Sequence, residues 1–222
     1  MLAKISVCGL VVWASGMWGQ ATPPPPVKLP PSLPPGLYAV IHTSMGDITA
    51  ELFEKETPNT VRNFIGLARG TRPWLDPKTK QGVSRPLYDN ITFHRVIPNF
   101  MIQCGDPAGD GSGDPGYQFK NETSPDLKFD RPGRLAYANA GPDTNGSQFF
   151  ITEAAYPSLN GGYTIFGQCD DASVALVKQI ARMGRDSNDK PFKPIKINHI
   201  TVTKGAAAPA ANIKKPAAAP AK

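Results

Sequence analysis

The sequence has few of the side chains that enzymes most often use to bind metals or to attack a substrate. Its 222 residues include three cysteines and three histidines. The histidines, His42, His94 and His199, are far apart and lack the spacing typical of zinc ligands. The sequence therefore predicts no metal site and no cofactor, and it favours a reaction that needs only binding and orientation.

No apolar run reaches the ~20 residues that cross a bilayer as a helix, but a shorter run opens the chain. Lys4 precedes an apolar stretch over residues 5–18, and small residues follow at Gly19 and Ala21. This order is typical of an export signal. We predict a signal peptide over residues 1–21, a periplasmic or secreted protein and no membrane span after cleavage; an uncleaved anchor is the alternative.

Proline and alanine dominate both flanks of the remaining chain. Residues 22–36 are rich in proline, which favours extended polyproline II, so we predict a semi-rigid linker. A motif for a proline-reading partner is the alternative. Residues 205–222 are mainly Ala, Pro and Lys and predict a disordered basic tail. Residues 37–204 have the length of one domain, which we expect to be monomeric.

The formal net charge is +6 at pH 7, but its distribution argues against nucleic-acid binding. Much of the excess lies near the C-terminus, at Lys204, Lys214, Lys215 and Lys222. Acids and bases are interleaved in the rest of the chain, so it presents no basic stripe for a phosphate backbone.

Two cysteines, Cys104 and Cys169, remain once the signal is removed. We expect two small buried thiols. A disulfide between them stays open, because the sequence does not show whether their Cα atoms lie within ~7 Å.

Alternating apolar and polar residues indicate eight short β-strands. The predicted strands cover residues 38–43, 47–53, 92–96, 100–104, 134–138, 148–152, 164–169 and 195–203. Two helices interrupt them. The first is predicted from Thr57 and Pro58 to a stop at Gly70, and the second from about Asp171 to Gly184. This pattern fits a mainly β fold but does not separate a barrel from a sandwich.

Two loops have compositions that could suggest a site. Residues 71–87 have turn residues and no sustained period, so they predict a surface insertion; a substrate-covering flap is the alternative, because Trp74 looks exposed and lies close to Arg72. Residues 105–116 carry aspartates four apart, whereas a calcium loop places its ligands two apart. We predict a flexible connector there.

The most informative residues lie in two short runs. One is F-H-R-V-I-P-N-F-M-I-Q over residues 93–103, and the other is A-N-A-G-P-D-T-N-G-S-Q-F-F over residues 138–150. Together they bring an arginine, several amides and large apolar side chains into two compact blocks. No nucleophile or general base accompanies them.

Both runs resemble the signature of the cyclophilin-type peptidyl-prolyl cis-trans isomerases, in particular an exported bacterial member, and the same register continues over residues 37–203. The resemblance implies a closed eight-stranded antiparallel β-barrel capped by two α-helices. It also implies an enzyme that speeds rotation about X-Pro bonds in exported or unfolded polypeptides and so assists folding. The partners would be proline-containing polypeptides.

The resemblance assigns site residues position by position. Those expected to be catalytic are Arg95, Gln103 and Asn139. Those expected to bind the substrate are His94, Phe100, Met101, Ala138, Ala140, Gln148, Phe150, Leu159 and Tyr163. Two positions depart from the pattern: Ser158 stands where many eukaryotic members have tryptophan, and Tyr163 where they have histidine. The first difference bears on inhibitor binding more than on catalysis.

The chemistry of X-Pro rotation accounts for this set. The barrier of ~18–20 kcal/mol arises from amide resonance, and at the midpoint the prolyl nitrogen regains a lone pair. Arg95 stays charged and offers N–H donors to that nitrogen, while apolar side chains grip the ring and amides hold the backbone. The alternatives are a surface salt bridge for Arg95 and ordinary core positions for the apolar residues.

Two other classes of function are compatible with parts of the sequence. A binding module or holdase with this fold would grip proline-containing peptides without turnover and would tolerate the loss of Arg95. A structural or anchoring envelope protein would use the linker and tail, but it leaves the matched positions unexplained.

We predict that the mature chain begins near Thr22, because the order of Lys4, apolar stretch and small residues suits cleavage better than membrane anchoring. Mass spectrometry of the protein recovered from its native host should show a chain that lacks the first 21 residues. An intact Met1 in a cytosolic fraction would contradict this expectation.

Overall fold

The computed structural model describes residues 33–205, which form a mainly β fold with two α-helices. The predicted signal peptide, most of the linker and nearly all of the tail lie outside the described residues, so those assignments stay predictions. Neither α-helix in the described part of the chain has the length and apolar character that a bilayer span requires.

Ten strands build two sheets. In chain order they are β1 Gly36–Thr43, β2 Gly46–Leu52, β3 Trp74–Leu75, β4 Gly82–Val83, β5 Arg95–Ile97, β6 Met101–Cys104, β7 Arg134–Tyr137, β8 Phe149–Thr152, β9 Ile165–Cys169 and β10 Ile197–Gly205. Eight of them form an antiparallel sheet in the order β10-β1-β2-β9-β7-β8-β6-β5, and β3 pairs with β4. The mainly β prediction is therefore confirmed, and each of the eight predicted strands overlaps a strand of the large sheet.

The large sheet is curled, and its named strands leave it open between β10 and β5, whereas a closed barrel was predicted. The two edges meet near the start of these strands, where residues 91–93 lie beside residues 195–197. Phe93 donates its N–H to the Ile195 carbonyl oxygen at 2.9 Å, and Ile197 donates to that of Ile91 at 2.8 Å. These two short segments do not pair as continuous strands. They form one isolated β-bridge, between Thr92 and Lys196.

The first helix, α1, spans Pro58–Arg69 and ends at Gly70, as the sequence predicts. Thr57 precedes it but does not cap it, because its hydroxyl donates to the Phe53 carbonyl oxygen. The Glu122 carboxylate accepts the N–H groups of Asn59 and Thr60 instead, at 3.1 and 2.6 Å. Burial raises the pKa of Glu122, but the hydrogen bonds from Thr60 and Asn59 outweigh it and lower the pKa below its usual value. An ionised carboxylate from a distant loop thus complements the positive end of the helix.

The second helix, α2, spans Asp171–Ala181. Asp170 caps it by accepting the Ser173 N–H at 2.7 Å. The helix ends before the predicted stop at Gly184, and the chain then turns through a loop that returns to the sheet. Both helices pack against the sheet, and between them lies the main core, where the Phe64 ring is 5.1–5.5 Å from those of Tyr88, Phe149 and Phe166.

The insertion over residues 71–87 contains the β3–β4 hairpin, and the expectation that Trp74 is exposed is wrong. Only 4% of Trp74 is exposed. Its indole N–H donates to the Arg85 carbonyl oxygen at 2.8 Å, and the Arg85 guanidinium lies 4.6 Å from its ring centroid. Asp76 binds the same guanidinium at 2.7 Å. Trp74 therefore anchors the insertion. Its ring is buried against the insertion itself, so it cannot cover a bound peptide.

Cys104 and Cys169 are both buried and unbonded. Burial raises the pKa of both thiols well above the usual range. They behave as small core residues, since a buried thiol held in its neutral form is a poor nucleophile.

Replacing Gly70 with alanine should lower the free energy of unfolding by at least about 2 kcal/mol. Gly70 has a φ of +70°, and an added Cβ would lie 2.4 Å from the Arg85 carbonyl carbon. The left-handed backbone alone costs ~1–2 kcal/mol, and only a backbone shift relieves the clash. Gly82→Ala is the matched control, because nothing lies within 4 Å of its added Cβ. Urea unfolding measures both variants, and equal small effects would contradict the prediction.

Candidate active site

The site arises from the alternation of side chains along β6 and β8. Ile102 and Ile151 point into the main core, whereas Met101 and Phe150 belong to a second apolar cluster on the opposite face of the sheet. Successive side chains of a strand point to opposite faces. One stretch of sequence therefore supplies both the core and a separate apolar surface.

The strand register places the polar and apolar site residues in one row. Arg95 of β5 pairs with Gln103 of β6, and Gln103 pairs with Phe150 of β8. Phe150 in turn pairs with Ala136 of β7. Directly opposed residues in antiparallel strands lie ~4.5–5.5 Å apart and share a face. The row thus sets a guanidinium and an amide beside an aromatic ring.

A cavity of 170 Å³ opens over this row. Its lining comprises Arg95, Phe100, Met101, Gln103, Ala138, Asn139, Phe150, Leu159 and Tyr163. All nine were assigned from the sequence. They come from both signature runs and from the segment after β8, and the structure brings them together around one concave surface.

Aromatic contacts shape the apolar wall of the cavity. The Phe150 ring stacks on Phe129 at 5.9 Å between centroids and meets Tyr163 edge-on at 5.4 Å. The Phe100 ring lies 4.6 Å from Tyr156. Tyr163 stands where many eukaryotic members have histidine, and it still places an aromatic ring against the cavity. Phe129 and Tyr156 were not assigned from the sequence, because nothing local distinguishes them from other aromatic residues.

The amides are linked to one another and to nearby loops. Gln103 donates from Nε2 to Gln148 Oε1 at 2.9 Å, and Gln148 donates to the carbonyl oxygens of Gly111 and Gly113 at 3.0 and 2.9 Å. Gln148 thus lies behind Gln103 and orients it. Asn139 donates to the Gly162 carbonyl oxygen at 2.9 Å. Each amide enters the site with part of its hydrogen bonding already satisfied, which limits its rotation.

A second cavity of 290 Å³ adjoins the first and shares Gln103, Ala138 and Asn139 with it. Ala140 and Gln148 line this second cavity and not the first. Its far wall is Gly111–Asp114, part of the connector over residues 105–116. The connector was not assigned to the site from the sequence, because its glycines reveal tight turns but not which surface they face.

His94 lines neither cavity. It is buried, and neither ring nitrogen has a hydrogen-bond partner in the described part of the chain. Burial lowers the pKa of His94 below its usual value, although Asp106 partly opposes the shift. The imidazole is therefore neutral near pH 7 and acts as part of the wall behind the Gly111 loop.

A buried carboxylate and a half-exposed arginine brace the turn between β5 and β6. Asn99 in this turn has a φ of +61°. Its N–H donates to Glu153, which is 3% exposed, at 3.0 Å, and Arg182 pairs with the other carboxylate oxygen. The Tyr156 hydroxyl donates to the Asn99 carbonyl oxygen. The turn holds Phe100 at the cavity mouth, and no sequence signal pointed to Glu153 or Arg182.

Cavity size alone does not mark this site. A larger groove of 850 Å³ lies along α1 and the start of the insertion, and it contains none of the assigned residues. Within residues 33–205, no three His, Cys, Asp or Glu side chains are grouped as metal ligands. The 170 Å³ cavity is the candidate because, of the three cavities described in residues 33–205, it is the one that combines an arginine, amides and an apolar wall.

Comparison with known proteins agrees with this geometry. Residues 38–202 match the family model described as cyclophilin type peptidyl-prolyl cis-trans isomerase. The chain is 51% identical to peptidyl-prolyl cis-trans isomerase A of Mycobacterium tuberculosis over 166 residues, which is 74% of this chain and 91% of that protein. It is 46% identical to isomerase B of Streptomyces anulatus over 168 residues, 75% of this chain and 96% of that protein.

A solved structure shows the same architecture. The crystal structure of a Cryptosporidium parvum cyclophilin-type isomerase aligns with a TM-score of 0.64 at 35% identity, covering 76% of this chain and 98% of that one. The resemblance in the two signature runs is thereby confirmed. The chain belongs to the cyclophilin-type peptidyl-prolyl cis-trans isomerase family, and it is an enzyme that isomerises X-Pro peptide bonds.

Proposed function

We propose that Arg95 is the donor that stabilises the twisted X-Pro bond, with the 170 Å³ cavity holding the proline ring. The observation that supports this is the row formed by Arg95, Gln103 and Phe150 across three paired strands. It sets the one cationic side chain of the cavity beside the ring that would cover the substrate proline.

The proposed mechanism is differential binding. In the planar amide the prolyl nitrogen has no free lone pair, so the Arg95 guanidinium gains little from it. In the twisted amide the nitrogen regains its lone pair and accepts a hydrogen bond. An interaction that strengthens only on twisting lowers the barrier for both directions of rotation. No proton is transferred, which is compatible with a buried neutral His94.

Substrate contacts follow from the remaining groups. Phe100, Met101, Phe150 and Leu159 supply apolar area for the ring, while Gln103 and Asn139 offer amide atoms to the peptide backbone. A Cryptosporidium parvum relative was crystallised in the presence of the dipeptide Ala-Pro. We propose a short extended segment with a central X-Pro bond as the substrate of this chain.

We also propose where the enzyme acts. The N-terminal sequence supports export to the periplasm or beyond, where the enzyme acts as a monomer on newly exported or unfolded polypeptides. We also propose that the sheet closes into a complete barrel through residues 91–93 and 195–197. The two backbone hydrogen bonds between the open edges support this closure.

Arg95→Ala should lower kcat/KM on an X-Pro peptide by ~10²–10³, or about 3–4 kcal/mol, by analogy with losing one preorganised transition-state donor. The fold should survive, because 43% of the Arg95 side chain is exposed. NMR exchange measurements on a proline peptide give the rate, and a thermal melt reports folding. Arg62→Ala, at an exposed arginine of α1, is the matched control and should keep full activity. A folded Arg95→Ala with full activity would favour the binding-module alternative.

Ser158 should separate catalysis from inhibition by cyclosporin. It is exposed in a 3₁₀ turn, Pro157–Leu159, and lies outside the lining of the cavity. Relative to a tryptophan it lacks one N–H donor and aromatic area, so cyclosporin should bind roughly 30- to 1,000-fold more weakly than to a relative with tryptophan there.

Ser158→Trp should recover much of that affinity and change kcat/KM only a few-fold. Ser158→Ala is the control, because it removes the hydroxyl without adding an indole. Inhibition titrations of the three proteins measure the effect. Tight inhibition of the unmodified enzyme would show that the alignment around Ser158 is wrong.

A further inference from the structure

The proposed function requires the Arg95 guanidinium to be held in place while its terminal amino groups stay free for the substrate. A flexible arginine has ~2 kcal/mol of rotamer entropy. The donor contributes fully to catalysis only if this freedom is already lost before the reaction. Gln103, its cross-strand neighbour, directs its own N–H group to Gln148. The Gln103 side-chain carbonyl oxygen makes no hydrogen bond to Arg95 in the described part of the chain, so the restraint on Arg95 comes from another group.

That group is a carboxylate from the loop after α2. Asp189 Oδ2 lies 3.8 Å from Arg95 Nε, an ion-pair contact longer than a hydrogen bond, and this is the one ion pair of Arg95 in the described part of the chain. The contact falls on Nε. The four N–H bonds of the two terminal amino groups therefore remain available to a peptide. The Asp189 carbonyl oxygen also accepts the N–H of Val96 at 2.9 Å, which ties the loop to the strand that carries Arg95.

The loop that presents Asp189 is built without any contribution from Arg95. The Asp186 carboxylate accepts the N–H groups of Asn188 and Lys190 at 2.8 and 3.0 Å. Asp189 donates its own N–H to the Asp186 carbonyl oxygen at 3.1 Å. Arg185 Nε binds the other Asp189 carboxylate oxygen at 3.0 Å. The carboxylate is therefore fixed in advance, by a turn on one side and an arginine on the other.

Asp189 itself has a φ of +63°. This left-handed conformation suits Asp, Asn and Gly but is costly for most residues. Asparagine at this position would keep the backbone and nearly the same shape while removing the charge. The chain thus offers a substitution that tests the ion pair separately from the turn.

We infer that Asp189 is a positioning residue of the isomerase, which aims the Arg95 guanidinium by its Nε and leaves its terminal amino groups for the prolyl nitrogen. This inference rests on the proposed role of Arg95. The pair is 43% and 30% exposed, so it adds little to stability. Its effect falls on the rate, because a misplaced catalytic group can cost up to ~10².

The test is a double-mutant cycle with Asp189→Asn in the natural chain and in Arg95→Ala. In the natural chain, Asp189→Asn should lower kcat about 10- to 50-fold with KM nearly unchanged, and the melting temperature should hold. In the Arg95→Ala background the same substitution should change kcat less than about twofold, because the group it aims is already gone. Asp47→Asn, an acid-to-amide change outside both cavities, is the control and should keep activity.

A second readout follows the side chain directly. The Arg95 Nε–H signal, observed by ¹⁵N NMR relaxation, should show increased motion in Asp189→Asn and no change in Asp47→Asn. Unchanged kcat in a folded Asp189→Asn overturns the inference but leaves the role of Arg95 intact. Equal losses in both backgrounds also overturn it, because Asp189 would then act independently of Arg95. Full activity of Arg95→Ala refutes the proposed function itself, and the inference with it.

Discussion

The candidate site depends on the antiparallel register of β5, β6 and β8. Because Arg95, Gln103 and Phe150 are direct cross-strand partners, their side chains emerge on one face and at neighbouring positions. A one-residue slip of β6 would turn Gln103 into the core and bring Ile102 to the cavity. The core residues on the opposite face of the sheet resist such a slip. The packing of the main core and the geometry of the site therefore depend on the same register.

Two loops supply contacts at the site that the strand register does not provide. The turn before Phe100 is braced by Glu153 and Arg182, and the loop after α2 brings Asp189 to Arg95. Arg182 and Asp189 lie at and beyond the C-terminal end of α2, whereas Glu153 directly follows β8. Segments that are distant in the chain thus contact the loops that border the cavity.

The proposed chemistry of the site is orientation without proton transfer. His94 lies behind the site and is buried with a lowered pKa, and Cys104 and Cys169 are buried in the main core with raised pKa values. The amides of the site are already engaged with neighbours. What remains available to a substrate is a guanidinium, amide atoms and an apolar wall. Such groups can lower the barrier to X-Pro rotation by binding the twisted amide more tightly than the planar one.

The sequence predicted the eight strands of the large sheet and both helices from local patterns, and the resemblance to the family assigned all nine residues that line the cavity. Side-chain alternation, the helix signals at Pro58 and Gly70, and the two signature runs are local, so they can be read without the fold. Only the tertiary structure decided that Trp74 is buried, that Glu122 caps α1, that residues 91–93 lie beside residues 195–197, and that Asp189 faces Arg95. These contacts join segments far apart in the chain, and local periodicity carries no information on which distant segments come to lie side by side.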